Sequence, residues 1–202
     1  MPTTSLADLY LQQLQLLLEA EEQGLDAIPQ LAQLVRDAKL RDTLQTHRRQ
    51  SQEHARRLEQ LIAARGARAR NAECVSMRAL IEEAQDTVAM IEDPDTMDAF
   101  VIGAQQAIEH HEIAAYGTAR SWARQLGLDD DAKVLQKTLD EERDTDELLS
   151  TIAEGRVNER AAQGSEREVG IASAGRADRS QPREQGRGDL TGVDVQRGAD
   201  MR

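Results

Sequence analysis

Apolar residues recur every three or four positions through most of residues 5–160, and this periodicity constrains the fold more than any other feature of the chain. Such spacing places side chains on one face of an α-helix. Residues that end or interrupt helices, namely Pro29, Gly66, Pro94 and Gly127, divide the pattern. Ala, Leu, Glu, Gln and Arg are abundant, and aromatic residues make up only 2% of the chain. Because the abundant residues favour helix over strand, the sequence predicts an all-α fold.

We expect five helices, over about residues 5–37, 39–64, 72–92, 95–126 and 129–153. Ser5 suits the N-cap of the first helix, and Pro29 must kink or break it. Short connections make antiparallel hairpins of the first and second helices and of the fourth and fifth. The third helix links these hairpins, which predicts a four-helix bundle with one additional helix.

The composition changes towards the C-terminus. Residues 161–202 hold seven of the thirteen glycines, seven acids and seven bases, with no helical periodicity. A segment of this kind buries too little apolar surface to offset the entropy of ordering it. We therefore expect a helical domain over residues 1–158 and a disordered tail over 159–202.

The charge and the apolar runs restrict the classes of function. A formal net charge of −12 argues against a nucleic-acid partner, since phosphate binding requires a basic face. Cys74 is the only cysteine, so no internal disulfide and no thiolate cluster can form. Neither a signal peptide nor an apolar run of membrane-spanning length is evident, so we expect no membrane and a cytoplasmic protein.

Four of the predicted helices carry polar, metal-capable residues within otherwise apolar rows. These are Glu21 on the first helix, His47 and His54 with Gln50 alongside on the second, Glu109 and Glu112 on the fourth, and Glu142 and Asp146 on the fifth. Counted from the hairpin turns, the acids and His54 lie roughly 14 to 19 residues along their helices, a spread of about one helical turn, whereas His47 lies nearer the turn. One compact cluster at the middle of the bundle is therefore geometrically possible.

Buried carboxylates must pair, protonate or bind a cation, because an unpaired buried charge costs several kcal/mol. With few inward bases, a divalent metal would neutralise these acids, and iron or manganese suits oxygen and imidazole ligands. The candidate ligands are Glu21, His54, Glu109, Glu112, Glu142 and Asp146, with Gln50 and His47 as weaker candidates. The alternative is that each acid lies solvated or salt-bridged at a helix flank and that His47 is a hydrogen-bonded core residue. Tyr116 and Trp122 are expected to pack rather than to carry electrons.

Several segments resemble the YciE/YciF family of bacterial ferritin-like stress proteins, over roughly residues 5–155. They are residues 19–23 (EAEEQ), 57–60 (RLEQ), 77–83 (MRALIEE), 104–118 (AQQAIEHHEIAAYGT) and 138–147 (TLDEERDTDE). The last two are the most specific. The resemblance implies a ferritin-like bundle, homodimers and a dimetal carboxylate site.

The chain departs from the family pattern on the second helix. Family members usually carry two adjacent glutamates shortly after the histidine that matches His47, whereas this chain has Arg49 and Gln50. Two functions follow and both remain open. One is a metal-dependent redox protein that handles oxygen or peroxide, and the other is a non-catalytic stress or scaffold protein that uses the same bundle without metal.

Overall fold

The computed structural model describes residues 3–68 and 72–164, and these residues form helices without any β-strand. The all-α prediction is therefore confirmed. The helices are α1 (Leu6–Leu34), α2 (Ala38–Ala64), α3 (Val75–Val88), α4 (Pro94–Gln125) and α5 (Asp129–Ile152). None of the described helices combines the length and the apolar composition that crossing a bilayer requires.

Side-chain caps and two glycines fix the ends of the long helices. The Ser5 hydroxyl accepts the Asp8 N–H at 3.1 Å at the start of α1, and Asp37 accepts the Leu40 N–H at 3.1 Å at the start of α2. Gly66 and Gly127 follow α2 and α4 with φ of 69° and 71°. Glycine adopts this left-handed conformation without a steric penalty, and so these two residues turn the chain out of each helix.

Two helices differ from the expectation in where they begin or end. Helix α1 passes through Pro29 without breaking, but it ends at Leu34 because Asp37 serves as the N-cap of α2 instead of closing α1. Helix α3 begins after Cys74 and ends at Val88, so it is shorter at both ends than the predicted residues 72–92. The other three helices lie within one or two residues of the predicted limits.

The four long helices form a bundle in which each packs against two others. Helix α1 contacts α2 and α4, and α5 contacts α4 and α2. Side-chain pairs such as Glu21 with His54, and Arg120 with Gln136, show that each hairpin is antiparallel. Helix α3 lies outside this square against α1 and α4, within the long connection from α2 to α4. One such crossover is typical of ferritin-like bundles.

The helical domain extends further than predicted. A π-helical turn over Ala153–Val157 follows α5, and residues 158–164 continue as helix. The Val157 side chain is fully buried, and the Arg160 guanidinium lies 3.3 Å from carboxylate oxygens of Asp37 and Asp98. The boundary at residue 158 is thus too early, because these contacts hold residues 159–164 against the bundle. The rest of the predicted tail lies outside the described residues.

The core of the bundle consists of two apolar layers with polar residues between them. One apolar layer includes Leu14, Leu58 and Leu135, and the other includes Leu31, Leu44 and Leu149. Every long helix contributes to both layers and changes to polar residues at the same level between them. A smaller apolar group under α3, including Met77 and Ile108, covers one side. The fold therefore encloses a polar layer in a dry interior.

Candidate metal centre

The polar layer consists of four carboxylates and two imidazoles from four helices. All six side chains are between 0% and 2% exposed, and they are Glu21, His47, His54, Glu109, Glu112 and Glu142. These are the residue types that bind iron and manganese, because both metals accept carboxylate and imidazole ligands. The six side chains form two adjacent sets.

The first set joins α1, α2 and α5 around one nitrogen of His54. The His54 Nδ1 atom lies 2.8 Å from Glu142 Oε1 and 3.3 Å from Glu21 Oε1. One potential ligand atom from each of these three residues lies within 4.8 Å of the others. Two ligands of one metal ion, each about 2.1 Å from it, lie no more than about 4.2 Å apart. The set is thus close to the size that a single ion requires.

The second set joins α2, α4 and α5 around His47. The His47 Nε2 atom lies 3.1 Å from Glu109 Oε1, and its Nδ1 atom lies 3.8 Å from Glu142 Oε2. Glu112 completes a group of four whose potential ligand atoms all lie within 4.8 Å of one another. Glu142 belongs to both sets and turns one oxygen towards each, which is the position of a bridging carboxylate.

Several atoms of the polar layer lack the hydrogen bonds that buried polar atoms normally make. In the described part of the chain, the atoms without a partner are Glu21 Oε2, His54 Nδ1, Glu109 Oε2 and both carboxylate oxygens of Glu142. His54 Nδ1 and Glu142 Oε1 are 2.8 Å apart, yet they are not aligned as donor and acceptor. Buried polar groups are rarely left unsatisfied, since each costs about 1–3 kcal/mol. These orphaned atoms converge, and they fit a bound cation better than a hydrogen-bonded network.

Burial and mutual repulsion dominate the electrostatics of the carboxylates. Burial raises the pKa of Glu109 and of Glu112 well above the usual value, and neighbouring carboxylates add to this effect. Burial also raises the pKa of Glu21, although the His54 imidazole, whose Nδ1 atom lies 3.3 Å from Glu21 Oε1, opposes the shift. For Glu142 burial acts in the same direction, but contacts with His54 and His47 hold its pKa below the usual value.

The two histidines differ in charge. Burial opposes protonation of His54, but Glu142 and Glu21 outweigh it and raise the pKa of the imidazole to about 10. Burial lowers the pKa of His47, against the attraction of Glu142. A single imidazolium does not balance four carboxylates, whereas two divalent ions would do so with both imidazoles neutral. The donor set therefore fits a pair of divalent cations.

Outer side chains hold the polar layer in place. The Tyr116 hydroxyl donates to Glu21 Oε1 at 2.5 Å, and the Gln105 amide donates to Glu109 Oε1 at 2.9 Å. The Thr145 hydroxyl lies 3.4 Å from His47 Nδ1. Tyr116 is fully buried among apolar residues, so it packs as predicted and also orients a carboxylate. Fixing ligand orientation in this way is typical of the surroundings of metal sites.

Two predicted residues lie outside both sets. Asp146 is half-buried at the flank of α5, where it accepts a hydrogen bond from Gln106 at 3.1 Å and lies 3.5 Å from the exposed His110. It does not face the other acids, because Thr145, one residue earlier, occupies the inward position on the turn after Glu142. Gln50 is only half-buried, at the flank of the inward row of α2.

The structure gives one weaker candidate a central place and adds residues that were not predicted. His47 was a weaker candidate, but its ring contacts two carboxylates at the centre of the second set. Its place in the row Leu44, His47, Ser51 and His54 was the available signal. Gln105 and Thr145 were missed, although helical spacing from Glu109 and Glu142 places both on inward faces. For Glu141, which bonds His54 from outside, the sequence carries no comparable signal.

Together the fold and the buried acids define an all-α bundle of the ferritin-like class. The profile of a family described as "Domain of unknown function (DUF892)" matches residues 5–162, and the chain belongs to this family. Protein YciF of Escherichia coli K12 is 36% identical over 143 residues, which are 70% of this chain and 86% of that protein. The resemblance to the YciE/YciF family is thereby confirmed.

Solved structures agree with this assignment. The crystal structure of the E. coli stress protein YciF matches with a TM-score of 0.74 and 33% identity, over 77% of this chain and 99% of that one. YcfI of Rhodopseudomonas palustris matches with a TM-score of 0.72 and 33% identity, over 73% and 94%. A protein of Xanthomonas campestris pv. campestris shares the fold with a TM-score of 0.65 at 17% identity, over 80% and 99%.

Proposed function

We propose that this protein binds two iron or manganese ions in the polar layer and uses them to handle oxygen or peroxide in a cytoplasmic stress response. The observation that carries the proposal is the convergence of four buried carboxylates, three of which have an oxygen that no described residue hydrogen-bonds. A cation is the simplest way to make such a group tolerable in a dry interior. The likeness to YciF of E. coli, which is described as a stress protein, supports the physiological setting.

The chain would divide its ligands between two positions. Glu21 and His54 would hold one ion, and His47, Glu109 and Glu112 would hold the other, with Glu142 between them. Bound iron or manganese would supply redox-active Lewis-acid chemistry at this point. The two apolar layers exclude water from above and below. Tyr116 and Gln105 fix the orientation of Glu21 and Glu109 by donating hydrogen bonds to them.

Metal analysis of the full-length protein tests this function. The protein is purified without chelator, dialysed against Mn²⁺ or, anaerobically, Fe²⁺, and its metal content is measured. We expect about two ions per chain and a raised melting temperature. Glu142→Gln should lose most of both, while Glu147→Gln, an exposed acid on the same helix, should lose neither. Fewer than about 0.1 ions per chain with an unchanged melting temperature would contradict the proposal.

A second function is favoured by α2. Arg49 is exposed and Gln50 is half-buried where relatives of this family usually carry acids, and so α2 supplies fewer oxygen ligands. The ion pairs of His54 with Glu142 and Glu21 could hold a metal-free bundle that acts as a stress scaffold. This alternative gains if Glu112→Ala leaves stress survival of the host unaltered. A loss of survival together with a loss of metal would contradict it.

We also propose that the protein is a homodimer that does not bind nucleic acid. The homodimer rests on the family resemblance, and light scattering coupled to gel filtration measures the mass directly. The net charge of −12 disfavours nucleic acid. A gel-shift experiment at low salt, in which DNA or RNA should remain unshifted, tests that expectation.

A further inference from the structure

The outer nitrogen of His54 is bonded to a residue that belongs to neither set. His54 Nε2 lies 2.9 Å from Glu141 Oε2, while Nδ1 faces Glu21 and Glu142. His54 is fully buried, whereas the Glu141 side chain is 25% exposed. The imidazole is thus held between a carboxylate on its outer side and the polar layer on its inner side.

Glu141 is itself fixed by a buried guanidinium. Arg57 Nη1 donates to Glu141 Oε2 at 2.5 Å and to the Thr138 hydroxyl at 3.0 Å, and Arg57 Nη2 donates to Glu141 Oε1 at 3.3 Å. Both carboxylate oxygens are therefore engaged by one arginine on α2, one turn after His54. Such charge-assisted pairs are short and directional, so the carboxylate has little freedom to rotate away from the imidazole.

We infer that Glu141 is a positioning residue, which keeps a proton on His54 Nε2 and so leaves Nδ1 as the nitrogen that binds a metal ion in the first set. The inference rests on the proposed metal function and extends it to a residue that does not contact the ion. Histidine can offer either nitrogen, and the partner of the other nitrogen decides which one. Among the described residues, Glu141 alone lies within ion-pair distance of Nε2, and Glu21 and Glu142 alone lie within that distance of Nδ1.

The orientation matters because the opposite tautomer would disable the first set. With the proton on Nδ1, His54 would point an N–H group at Glu21 and Glu142 and would bind them as a hydrogen-bond donor. A cation can enter the first set only by displacing that proton, which requires Nε2 to keep the other one. Loss of an outer carboxylate that orients a histidine ligand typically weakens metal binding about 10–100-fold.

The test compares the full-length protein with Glu141→Ala, Glu141→Gln and Asp140→Ala. Asp140 is the matched control, since it is the preceding acid on α5 and its side chain is 57% exposed. Glutamine keeps the size of Glu141 but is a weaker acceptor, so it serves if removal of the partner of Arg57 prevents the alanine variant from folding. All variants are checked by circular dichroism and thermal unfolding.

The first measurement uses metal-free protein labelled with ¹⁵N-histidine. The Nε2-bound proton of His54, assigned by its loss in His54→Gln, should exchange slowly in the wild type and in Asp140→Ala. It should exchange rapidly in Glu141→Ala and at an intermediate rate in Glu141→Gln. Absence of a protected Nε2 proton in the wild type would overturn the inference, whether or not the protein binds metal.

The second measurement uses Mn²⁺ for affinity and Zn²⁺ for the site of protonation. We expect the Mn²⁺ dissociation constant to rise about 10–100-fold in Glu141→Ala, less in Glu141→Gln, and within about twofold of the wild type in Asp140→Ala. In the Zn²⁺-loaded protein, ¹⁵N shifts should show Nδ1 bound in the wild type and a mixture of Nδ1 and Nε2 in Glu141→Ala. A merely structural role would not change the nitrogen used.

The outcomes separate the two proposals. If the wild type binds neither ion, the metal function fails, and the metal-free measurement still decides whether Glu141 holds the imidazole. If the wild type binds metal but Glu141→Ala binds it equally well through Nδ1, the positioning role fails while the metal function stands.

Discussion

Buried carboxylates occur in two regions of this bundle, and the regions satisfy them differently. At the turn between α1 and α2, Asp98 is fully buried, and its two oxygens accept the backbone N–H groups of Arg36 at 2.6 Å and Asp37 at 3.0 Å. Arg160 lies 3.3 Å from both Asp98 and Asp37. This group, the turn network, consists of Asp37, Asp98, Arg156 and Arg160.

In the polar layer, the carboxylates outnumber the basic side chains that could neutralise them. Within residues 3–68 and 72–164, its four carboxylates face two imidazoles and no lysine or arginine, and several of their oxygens lack partners. The pKa shifts differ in the same way. The Leu40 N–H, Arg156 and Arg160 outweigh burial and lower the pKa of Asp37, whereas burial raises the pKa of Glu112 well above the usual value.

The difference shows what a burial pattern alone cannot reveal. An acid with backbone donors and a guanidinium is a structural element, because protein groups already neutralise its charge. An acid that faces other acids in a dry interior is unfavourable for folding unless it is protonated or binds a cation. We therefore expect that removal of a carboxylate destabilises the fold in the turn network and stabilises it in the metal-free polar layer.

The largest expected effect lies in the turn network. Asp98→Ala should lower the free energy of unfolding by about 3–5 kcal/mol, because it leaves two backbone N–H groups without their buried acceptor and removes one of the carboxylates that Arg160 contacts. Urea unfolding of the metal-free protein measures this. Asp95→Ala is the control, since Asp95 also contacts Arg160 but is partly exposed, and it should cost less than about 1 kcal/mol. Equal effects would contradict a structural role specific to Asp98.

Metal should stabilise the polar layer and leave the turn network unaffected. At a free Mn²⁺ concentration 100 times the dissociation constant, we expect about 2.7 kcal/mol of additional stability. Asp98→Ala should show the same increment, because distant sites act independently. Glu142→Gln should show almost none, since Glu142 belongs to both sets. An equal gain in all three proteins would mean that Mn²⁺ binds elsewhere.

Removal of an acid from the polar layer should have the opposite sign from removal of Asp98. In metal-free protein, Glu112→Leu should raise the free energy of unfolding by about 1–3 kcal/mol, because an apolar group replaces a buried carboxyl that the described residues leave without a hydrogen bond. Urea unfolding in chelator measures it. The variant should also lose the Mn²⁺ increment. Destabilisation without metal would show that Glu112 is a structural group like Asp98.

The fold followed from local sequence patterns. Helical periodicity and the breaks at Gly66, Pro94 and Gly127 located five helices, since amphipathic spacing and chain termination are local properties. The misplaced end of α1 has a local cause as well, because Asp37 suits an N-cap and here caps α2. The extension to residue 164 was not predictable from periodicity, since it depends on contacts of Arg160 with residues more than 60 positions away.

The site was predictable only in part. Apolar rows interrupted by polar residues placed all six polar-layer residues, with His47 as a weaker candidate, because an inward position on one helix implies burial in a bundle. Asp146 was wrongly included because a spacing of four from Glu142 turns the side chain about 40° from the inward direction. The partner of a buried acid is a contact between helices. Spacing alone could therefore not show that Asp98 meets Arg160 while Glu109 meets other acids.

The smallest expected effect is the acid dependence of the turn network. Since Asp37 has a folded-state pKa below its ordinary value of 3.8, its contribution to stability is present above that value and is lost as the pH falls through the lower one. Asp37→Asn keeps an acceptor for the Leu40 N–H. It should therefore flatten the fall in unfolding free energy between about pH 4 and pH 2, measured by urea midpoints.

Arg156→Gln should flatten this fall similarly, because Arg156 lies 2.9 Å from Asp37 Oδ1. An unchanged slope in both variants would show that the Asp37 carboxylate does not depend on its arginine partners, and the contrast with the polar layer would then rest on Asp98 alone.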